Sequence, residues 1–194
     1  MRYLELESSR TAYRADFALY GLAVLGLGAA LLLGAPGPAW PLLATVLAGY
    51  LMWSVLEYAL HRFVLHGMQP FRGMHELHHT RPGARIGTPT AVSAPLFALL
   101  VFAPAWALAG LWPACALTAG VLAGYLAYAV THHLCHHGQT RNAWRLRHQR
   151  WHARHHQRVE SPGCYGVSHR FWDHMFGTDR APLRQAAGPY RRTG

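Results

Sequence analysis

The sequence predicts an all-α integral membrane protein in which four transmembrane helices form two helical hairpins. Hydrophobic residues make up 52% of its 194 residues and charged residues only 13%, a balance that is unusual for a small soluble domain. No Lys, Arg, Asp or Glu occurs in the segments 17–56 and 86–140. Each segment is long enough for two helices of about 20 residues, the length that crosses a bilayer.

Four apolar stretches of transmembrane length follow one another, at about residues 16–34, 39–60, 91–112 and 114–130. The turn formers Ala35-Pro36-Gly37-Pro38 separate the first two spans, and Trp112-Pro113 is the predicted turn between the last two. Pro95 and Pro104 are expected to kink the third span or to shorten it.

Four spans place the histidine-rich segments 61–89 and 131–179, the tail 180–194 and both termini on one side of the membrane. All 18 basic residues are Arg, and neither of the two turns on the opposite side contains one. The positive-inside rule therefore predicts that the histidine-rich side is cytoplasmic. The net charge of +10 would also suit a nucleic-acid partner, but Arg confined to the polar segments indicates a membrane surface and no nucleic acid. The Arg-only, Ala-, Gly- and Leu-rich composition suggests a bacterial inner-membrane protein.

Eight of the 15 histidines recur in patterns that place imidazoles on one face of a helix, and His61 and His66 form a further pair. The triplet H-x-x-H-H occurs at 75–79 and again at 152–156, where the spacing i, i+3, i+4 is expected to bring three imidazoles to one point. His132 and His136 are four apart and share a face in the same way. The ten are His61, His66, His75, His78, His79, His132, His136, His152, His155 and His156.

His61 and His66 are five residues apart, so the helix must end or loosen between them if they are to act together. Neutral imidazole suits iron, zinc, copper and nickel. A single zinc or iron ion cannot use ten imidazoles, and ten divide naturally between two metals at five each. The remaining five histidines are predicted to lie on the surface or beside the site: His133, His137, His148, His169 and His174.

Two other classes of protein fit part of this pattern. The segment 75–79 also reads H-E-x-x-H, the zinc-protease motif with Glu76 as general base, which would indicate an intramembrane metalloprotease. That motif lies in a polar, Gly- and Pro-broken segment, and it leaves the other histidines unexplained. A metal-binding or transport protein would need polar groups within the spans, whereas the histidines gather at the span ends.

Five motifs occur along the chain between about residues 50 and 178: EYALHRFVLH (57–66), HELHH (75–79), HHLCHH (132–137), HARHH (152–156) and YGVSHRFWDHMFGT (165–178). In this order they resemble the fatty acid hydroxylase and sterol desaturase superfamily, most closely its fatty acid 2-hydroxylase branch. Two positions depart from that branch: Ala129 stands where Asp is expected, and His133 where an aromatic residue is common.

The resemblance implies a single domain over 1–194, with four spans capped by a cytosolic helical region that holds a dimetal centre. It implies that the ten histidines bind two iron ions, with zinc possible in the purified protein, and that no other residue is catalytic. The expected reaction is attack by O2 on a C–H bond of a bilayer lipid, most simply hydroxylation of a fatty acyl chain. Hydroxylation or desaturation of a sterol or carotenoid is the alternative. The electrons are expected from a separate ferredoxin or cytochrome b5.

Glu57 and Asp173 are the candidates to accept a hydrogen bond from the second ring nitrogen of a metal-binding imidazole. A metal-ligating histidine usually donates its second N–H to a carboxylate or a carbonyl. The arginines around the site are expected to hold a carboxylate or phosphate head group, or simply to attract anionic lipid. They are Arg62, Arg72, Arg81, Arg147 and Arg150.

Overall fold

A computed structural model describes residues 7–157 and 162–180 of the chain. Within these ranges all regular structure is helical, apart from an isolated β-bridge between Glu7 and Ile86. The all-α prediction is therefore confirmed for the described residues. The predicted tail at 180–194 lies outside them except for Arg180.

Eight α-helices follow one another in the described part of the chain: α1 (Arg10–Gly34), α2 (Ala39–Ala59), α3 (Phe71–Thr80), α4 (Thr90–Phe97), α5 (Ala103–Ala109), α6 (Leu111–His137), α7 (Ala143–Gln157) and α8 (Phe171–Phe176). Two π-helical turns extend this set. One continues α2 through Leu60–Leu65, and the other joins α4 to α5 through Ala98–Phe102.

Four helical segments are long and apolar enough to cross a membrane, as predicted. They are α1, α2 with its π-helical turn, the composite helix Thr90–Ala109, and α6. α1 begins at Arg10, earlier than the predicted residue 16, because the Ser9 hydroxyl accepts a hydrogen bond from the backbone N–H of Ala12 (3.1 Å) and caps the helix. The π-helical turn in the third segment directly precedes Pro104, whose ring would clash with a carbonyl of the preceding helical turn.

The turn between the third and fourth spans lies at Gly110 and not at Trp112-Pro113 as predicted. Gly110 has φ +83°, a left-handed conformation that glycine adopts without strain. Trp112 and Pro113 instead lie in the first turn of α6. A proline is accepted there because the first N–H groups of a helix have no partner within the helix.

α6 is the central helix of the membrane bundle. Half of its most apolar stretch is buried, whereas at most 11% is buried in each of the other three spans. Those three carry large side chains that face outward, such as Leu33 and Leu108, which are 89% and 87% exposed. Exposed leucines on long apolar helices are the pattern expected of a surface covered by lipid.

Glycine and alanine let α6 approach α2 closely. A Cβ atom on Gly120 would meet the carbonyl oxygen of Val46, and one on Gly49 would meet the carbonyl oxygen of Leu117. A Cβ on Gly124 would lie 2.6 Å from the Cβ of Trp53. Small residues at such crossings allow backbones to touch where lipid supplies no hydrophobic drive for association. The close approach brings the ends of α2 and α6, which carry histidines, to the same place.

We expect Gly120→Val to separate α2 from α6 and to destabilise the protein by about 1–3 kcal/mol, the usual cost of overpacking. Thermal unfolding in detergent measures the effect. Gly26→Val on α1 is the matched control, because a Cβ at Gly26 meets nothing within 4 Å. Equal midpoints for the two variants would contradict the close packing of α2 on α6.

Candidate metal centre

The π-helical turn after α2 brings His61 and His66 onto one face. The backbone N–H of His66 donates to the carbonyl of His61 over 3.2 Å, a bond that spans five residues. The predicted loosening of the helix between these histidines is thereby confirmed. In an ideal α-helix, five residues rotate by about 500°, so the two imidazoles would diverge.

A first group of histidines joins the end of α2 to α3 and α7. One ring nitrogen from each of four residues lies within 4.8 Å of the others, and the four are His61, His66, His75 and His155. The Nε2 atom of His79 lies 3.1 Å from Nε2 of His75 and 3.0 Å from Nε2 of His155. His79 therefore adds a fifth imidazole to this group.

A second group lies beside the first and joins α3 to α6 and α7. Its ring nitrogens also lie within 4.8 Å of one another, and its members are His78, His132, His136, His152 and His156. The rings of His79 and His156 stack at a centroid distance of 4.3 Å, which makes the two groups contiguous. All ten histidines singled out in the sequence thus fall into two adjacent groups of five.

Each H-x-x-H-H triplet is divided between the two groups, which corrects the prediction that a triplet meets at one point. His75 and His79 belong to the first group, and His78 to the second. The reason is helix geometry, since residues i and i+4 are rotated by only about 40° while i+3 and i+4 differ by about 100°. The triplet of α7 is divided in the opposite sense, with His155 alone in the first group.

The imidazoles are held in the neutral form that binds a metal. Burial lowers the pKa of His66 to about 4, that of His156 to about 3 and that of His78 to about 2. The pKa of His155 is likewise well below its ordinary value, mainly through burial. Neutral imidazole offers one lone pair per ring, whereas imidazolium offers none.

Two backbone carbonyls determine which nitrogen faces the first group. The Nδ1 atom of His61 lies 2.6 Å from the carbonyl of Tyr165, and Nδ1 of His155 lies 2.8 Å from the carbonyl of Gly163. A neutral ring that donates from Nδ1 must present an unprotonated Nε2. The Nε2 of His155 also faces Nε2 of His66 at 3.1 Å. Lone pairs that converge in this way fit a shared cation.

The loop that supplies these carbonyls adopts an unusual conformation. Cys164 stands between Gly163 and Tyr165 with φ +57°, a left-handed conformation that is uncommon for a residue other than glycine. Cys164 is fully buried, and its N–H donates to the carbonyl of Thr178 over 3.2 Å. Sequence reasoning did not identify this loop as part of the site, because backbone carbonyls leave no residue signature.

Glu57 and Asp173 hold this loop and do not contact the ten histidines directly. Asp173 accepts hydrogen bonds from the N–H groups of Tyr165 and Gly166 at 2.8 and 2.7 Å, and from the Thr178 hydroxyl at 2.7 Å. Glu57 accepts from the N–H groups of Val167 and Ser168 and from the Ser168 hydroxyl, at 2.6–2.8 Å. The two carboxylates therefore act on the imidazoles through the backbone of this loop, and not by direct hydrogen bonds as the sequence suggested.

Glu76 of the H-E-x-x-H pattern lies on the surface. Its carboxylate pairs with Arg72 at 2.7 Å, and both side chains are more than half exposed. The five remaining histidines lie outside the two groups, as predicted. His148 contacts the carbonyls of Trp144 and Ser168, and His133 contacts the Tyr13 hydroxyl at 3.2 Å.

Comparison with known proteins identifies this arrangement. The family model for fatty acid hydroxylase matches residues 46–178. The chain belongs to the fatty acid hydroxylase family. The resemblance of the sequence motifs to the fatty acid hydroxylase superfamily is thereby confirmed.

Among relatives of the chain, the dihydroceramide fatty acyl 2-hydroxylase FAH2 of Arabidopsis thaliana is 33% identical over 156 residues, covering 73% of the chain and 63% of the relative. The ceramide very long chain fatty acid hydroxylase scs7 of Schizosaccharomyces pombe is 29% identical, covering 72% of the chain and 43% of that protein. The fatty acid 2-hydroxylase of Rattus norvegicus is 32% identical, covering 67% and 38%. The chain thus spans less than two thirds of each of these relatives.

A solved structure of full-length scs7p, in which only the hydroxylase domain is visible, superposes with a TM-score of 0.73. It shares 26% identity with the chain and covers 95% of it, and the match covers 73% of the scs7p chain. The two proteins therefore share their fold along almost the whole length of the chain.

A cavity of about 340 Å³ reaches the two histidine groups from within the helices. His75, His78 and His132 line it, so both histidine groups border on it. Most of its other walls are apolar or aromatic side chains from α1, α3, α4 and α6, including Phe17, Tyr20, Met74, Val92, Tyr125 and Leu126. Ala129, which departs from the family pattern, also lines it.

We expect acid to destabilise the metal-free protein between pH 6.5 and pH 4. In the unfolded chain the histidines titrate near their ordinary pKa of 6.5, whereas the folded pKa values are about 4 for His66 and about 3 for His156. The unfolded chain therefore binds more protons in this window, so stability falls as the pH is lowered through it. Thermal midpoints of chelator-treated protein measure the effect, and a constant midpoint across the window would contradict it.

Asp173→Asn should loosen the carbonyl loop and lower the metal content of the purified protein. Asn keeps only one acceptor oxygen, and its NH2 group would face the backbone N–H of Tyr165 or Gly166. That N–H would lose its acceptor, which destabilises the folded protein by about 1–3 kcal/mol. Metal per protein chain is measured by mass spectrometry of the purified variant. Glu76→Gln, which alters an exposed carboxylate, is the control. Full metal content in Asp173→Asn would show that the loop does not position His61 and His155.

Proposed function

We propose that the chain is a membrane-bound dimetal oxygenase that hydroxylates a C–H bond of a lipid fatty acyl chain. The observation that carries the proposal is the contact between two five-histidine groups and an apolar cavity. An all-nitrogen ligand set suits iron, and two groups of five suit two ions. The names of the relatives, which specify fatty acyl and fatty acid 2-hydroxylases, support this substrate class.

The proposed ligands of one ion are His61, His66, His75, His79 and His155, and those of the other are His78, His132, His136, His152 and His156. Iron ions bound there supply the activation of O2 that an unreactive C–H bond requires. The chain keeps these imidazoles neutral by burying them, and it orients His61 and His155 through the carbonyls of Tyr165 and Gly163. Zinc fits the same nitrogen set and is expected to occupy it in some purified samples.

The cavity is suited to exclude water and to hold an unbranched hydrocarbon chain. Its aromatic and aliphatic walls offer few partners to a polar substrate, so its binding energy comes mainly from burying apolar surface. A lipid in the bilayer can enter between the spans with its reacting carbon near the histidines. The net reaction consumes one O2, two electrons and two protons, and releases one water for each hydroxyl group formed.

We further propose that the histidine-rich side faces the cytoplasm of a bacterial cell, with both termini on that side. The turns at 35–38 and at Gly110 lie on the opposite side and contain no Arg, which supports this orientation through the positive-inside rule. A separate electron donor of the ferredoxin or cytochrome b5 type would then approach the metal centre from the cytoplasm.

The test is expression in a heterologous host, followed by mass spectrometry of extracted lipids. We expect a fatty acyl species heavier by one oxygen atom, which disappears in His79→Ala because one proposed ligand is lost. Glu76→Gln should retain most of the activity, since Glu76 pairs with Arg72 on the surface. The absence of any oxidised lipid when O2 and a reductase are supplied would contradict the proposal. Loss of activity in Glu76→Gln with normal metal content would count against the proposal.

A further inference from the structure

Four arginines surround a concave site on the side of α7 away from the metal centre. Arg147, Arg150 and Arg154 come from α7, and Arg170 directly precedes α8. Together with Ala143 and Trp151 they line a space of about 370 Å³. The spacing of the three α7 arginines, i, i+3 and i+7, places them on one stripe of the helix.

Trp151 forms the buried wall of the same site. Its side chain is only 5% exposed. The guanidinium of Arg170 lies over the Trp151 ring, 5.0 Å from its centroid, a distance typical of a cation–π contact. The site therefore presents four cationic groups around one buried aromatic ring.

No acidic group balances these charges in the described part of the chain. None of the four arginines forms an ion pair there. Asp179 bonds His174 through its Oδ2 atom at 2.5 Å, and it forms no ion pair with the four arginines. A site made of donors alone is complementary to an oxyanion, and guanidinium groups match the geometry of phosphate oxygens.

The site lies beside the end of a transmembrane span. α8 packs against α2, where Trp172 donates to the Ser54 hydroxyl at 3.2 Å and Phe176 stacks on Tyr58. Ser54 and Tyr58 precede His61 in the second span, so α8 lies near the membrane boundary. Its outer face exposes Phe171 and Met175 at 60% and 63%. Apolar side chains at this depth, next to cationic ones, are typical of a surface that contacts lipid head groups and acyl chains together.

We propose that Arg147, Arg150, Arg154 and Arg170 form a binding site for the phosphate group of an anionic membrane phospholipid. The exposed Phe171 and Met175 favour a lipid as the source of the phosphate over the free ion. The site is separate from the cavity that reaches the histidines, with which it shares no lining residue. Its ligand is therefore distinct from the proposed substrate, and the proposal does not depend on the proposed function.

The test titrates detergent-solubilised protein with dioctanoyl phosphatidylglycerol and follows the thermal midpoint. We expect the thermal midpoint of wild type to rise with lipid concentration until it saturates. In R150Q/R154Q the lipid concentration at half-saturation should be about tenfold higher, which corresponds to the loss of at least one charge-assisted hydrogen bond. R14Q/R141Q is the matched control, because it removes two exposed arginines elsewhere and should bind as wild type does.

Dioctanoylglycerol, which has the same tails without phosphate, and inorganic phosphate serve as comparison ligands. Saturable stabilisation by phosphatidylglycerol that neither of them reproduces at the same concentration would support the proposal. Equal stabilisation by inorganic phosphate would overturn the lipid assignment in favour of the free ion. Unchanged lipid binding in R150Q/R154Q would overturn the site itself. If that variant instead lost only turnover with a protein electron donor, the surface would belong to an acidic protein partner.

Discussion

The site depends on one buried loop, held in place by two carboxylates. Glu57 and Asp173 are 4% and 0% exposed, and each accepts three hydrogen bonds from residues 165–178. Burying a carboxylate is costly unless it is hydrogen-bonded, so the loop and the carboxylates stabilise one another. This arrangement holds the carbonyls of Gly163 and Tyr165 in place. These carbonyls in turn orient two imidazoles toward the candidate metal centre.

The membrane helices bring the two halves of the site together. α6 is the most buried span, and it packs so closely on α2 that Gly49 and Gly120 have no space for a side chain. Because the helices are rigid along their length, the contact fixes how His61 at the end of α2 lies relative to His132 near the end of α6. The π-helical turn after Ala59 then brings His66 back toward the same side. The packing of α2 on α6 in the bundle therefore also determines how the histidines at the ends of these helices lie relative to one another.

Most of the fold and the histidine set followed from the sequence, because both depend on strong patterns. Charge-free segments of 40 and 55 residues predict membrane helices, and repeated H-x-x-H-H spacing predicts metal-binding faces. The turn at Gly110 was missed because Trp112-Pro113 carries the stronger turn signal, yet proline is also accepted in the first turn of a helix. The roles of the Gly163 and Tyr165 carbonyls could not be predicted, because hydrogen bonds from backbone atoms depend on the tertiary fold and not on residue type.

α7 relates the metal centre to the membrane surface through its two faces. One face carries its three metal-centre histidines, and the stripe rotated away from it carries its three arginines. A 15-residue helix cannot turn about its axis without moving both sets. An anion held by the arginines would therefore restrain the rotation of α7, and with it the positions of three of the ten imidazoles. Lipid binding at the arginine stripe, as proposed, would therefore connect the lipid composition of the membrane with the order of the histidine groups through the rigidity of one helix.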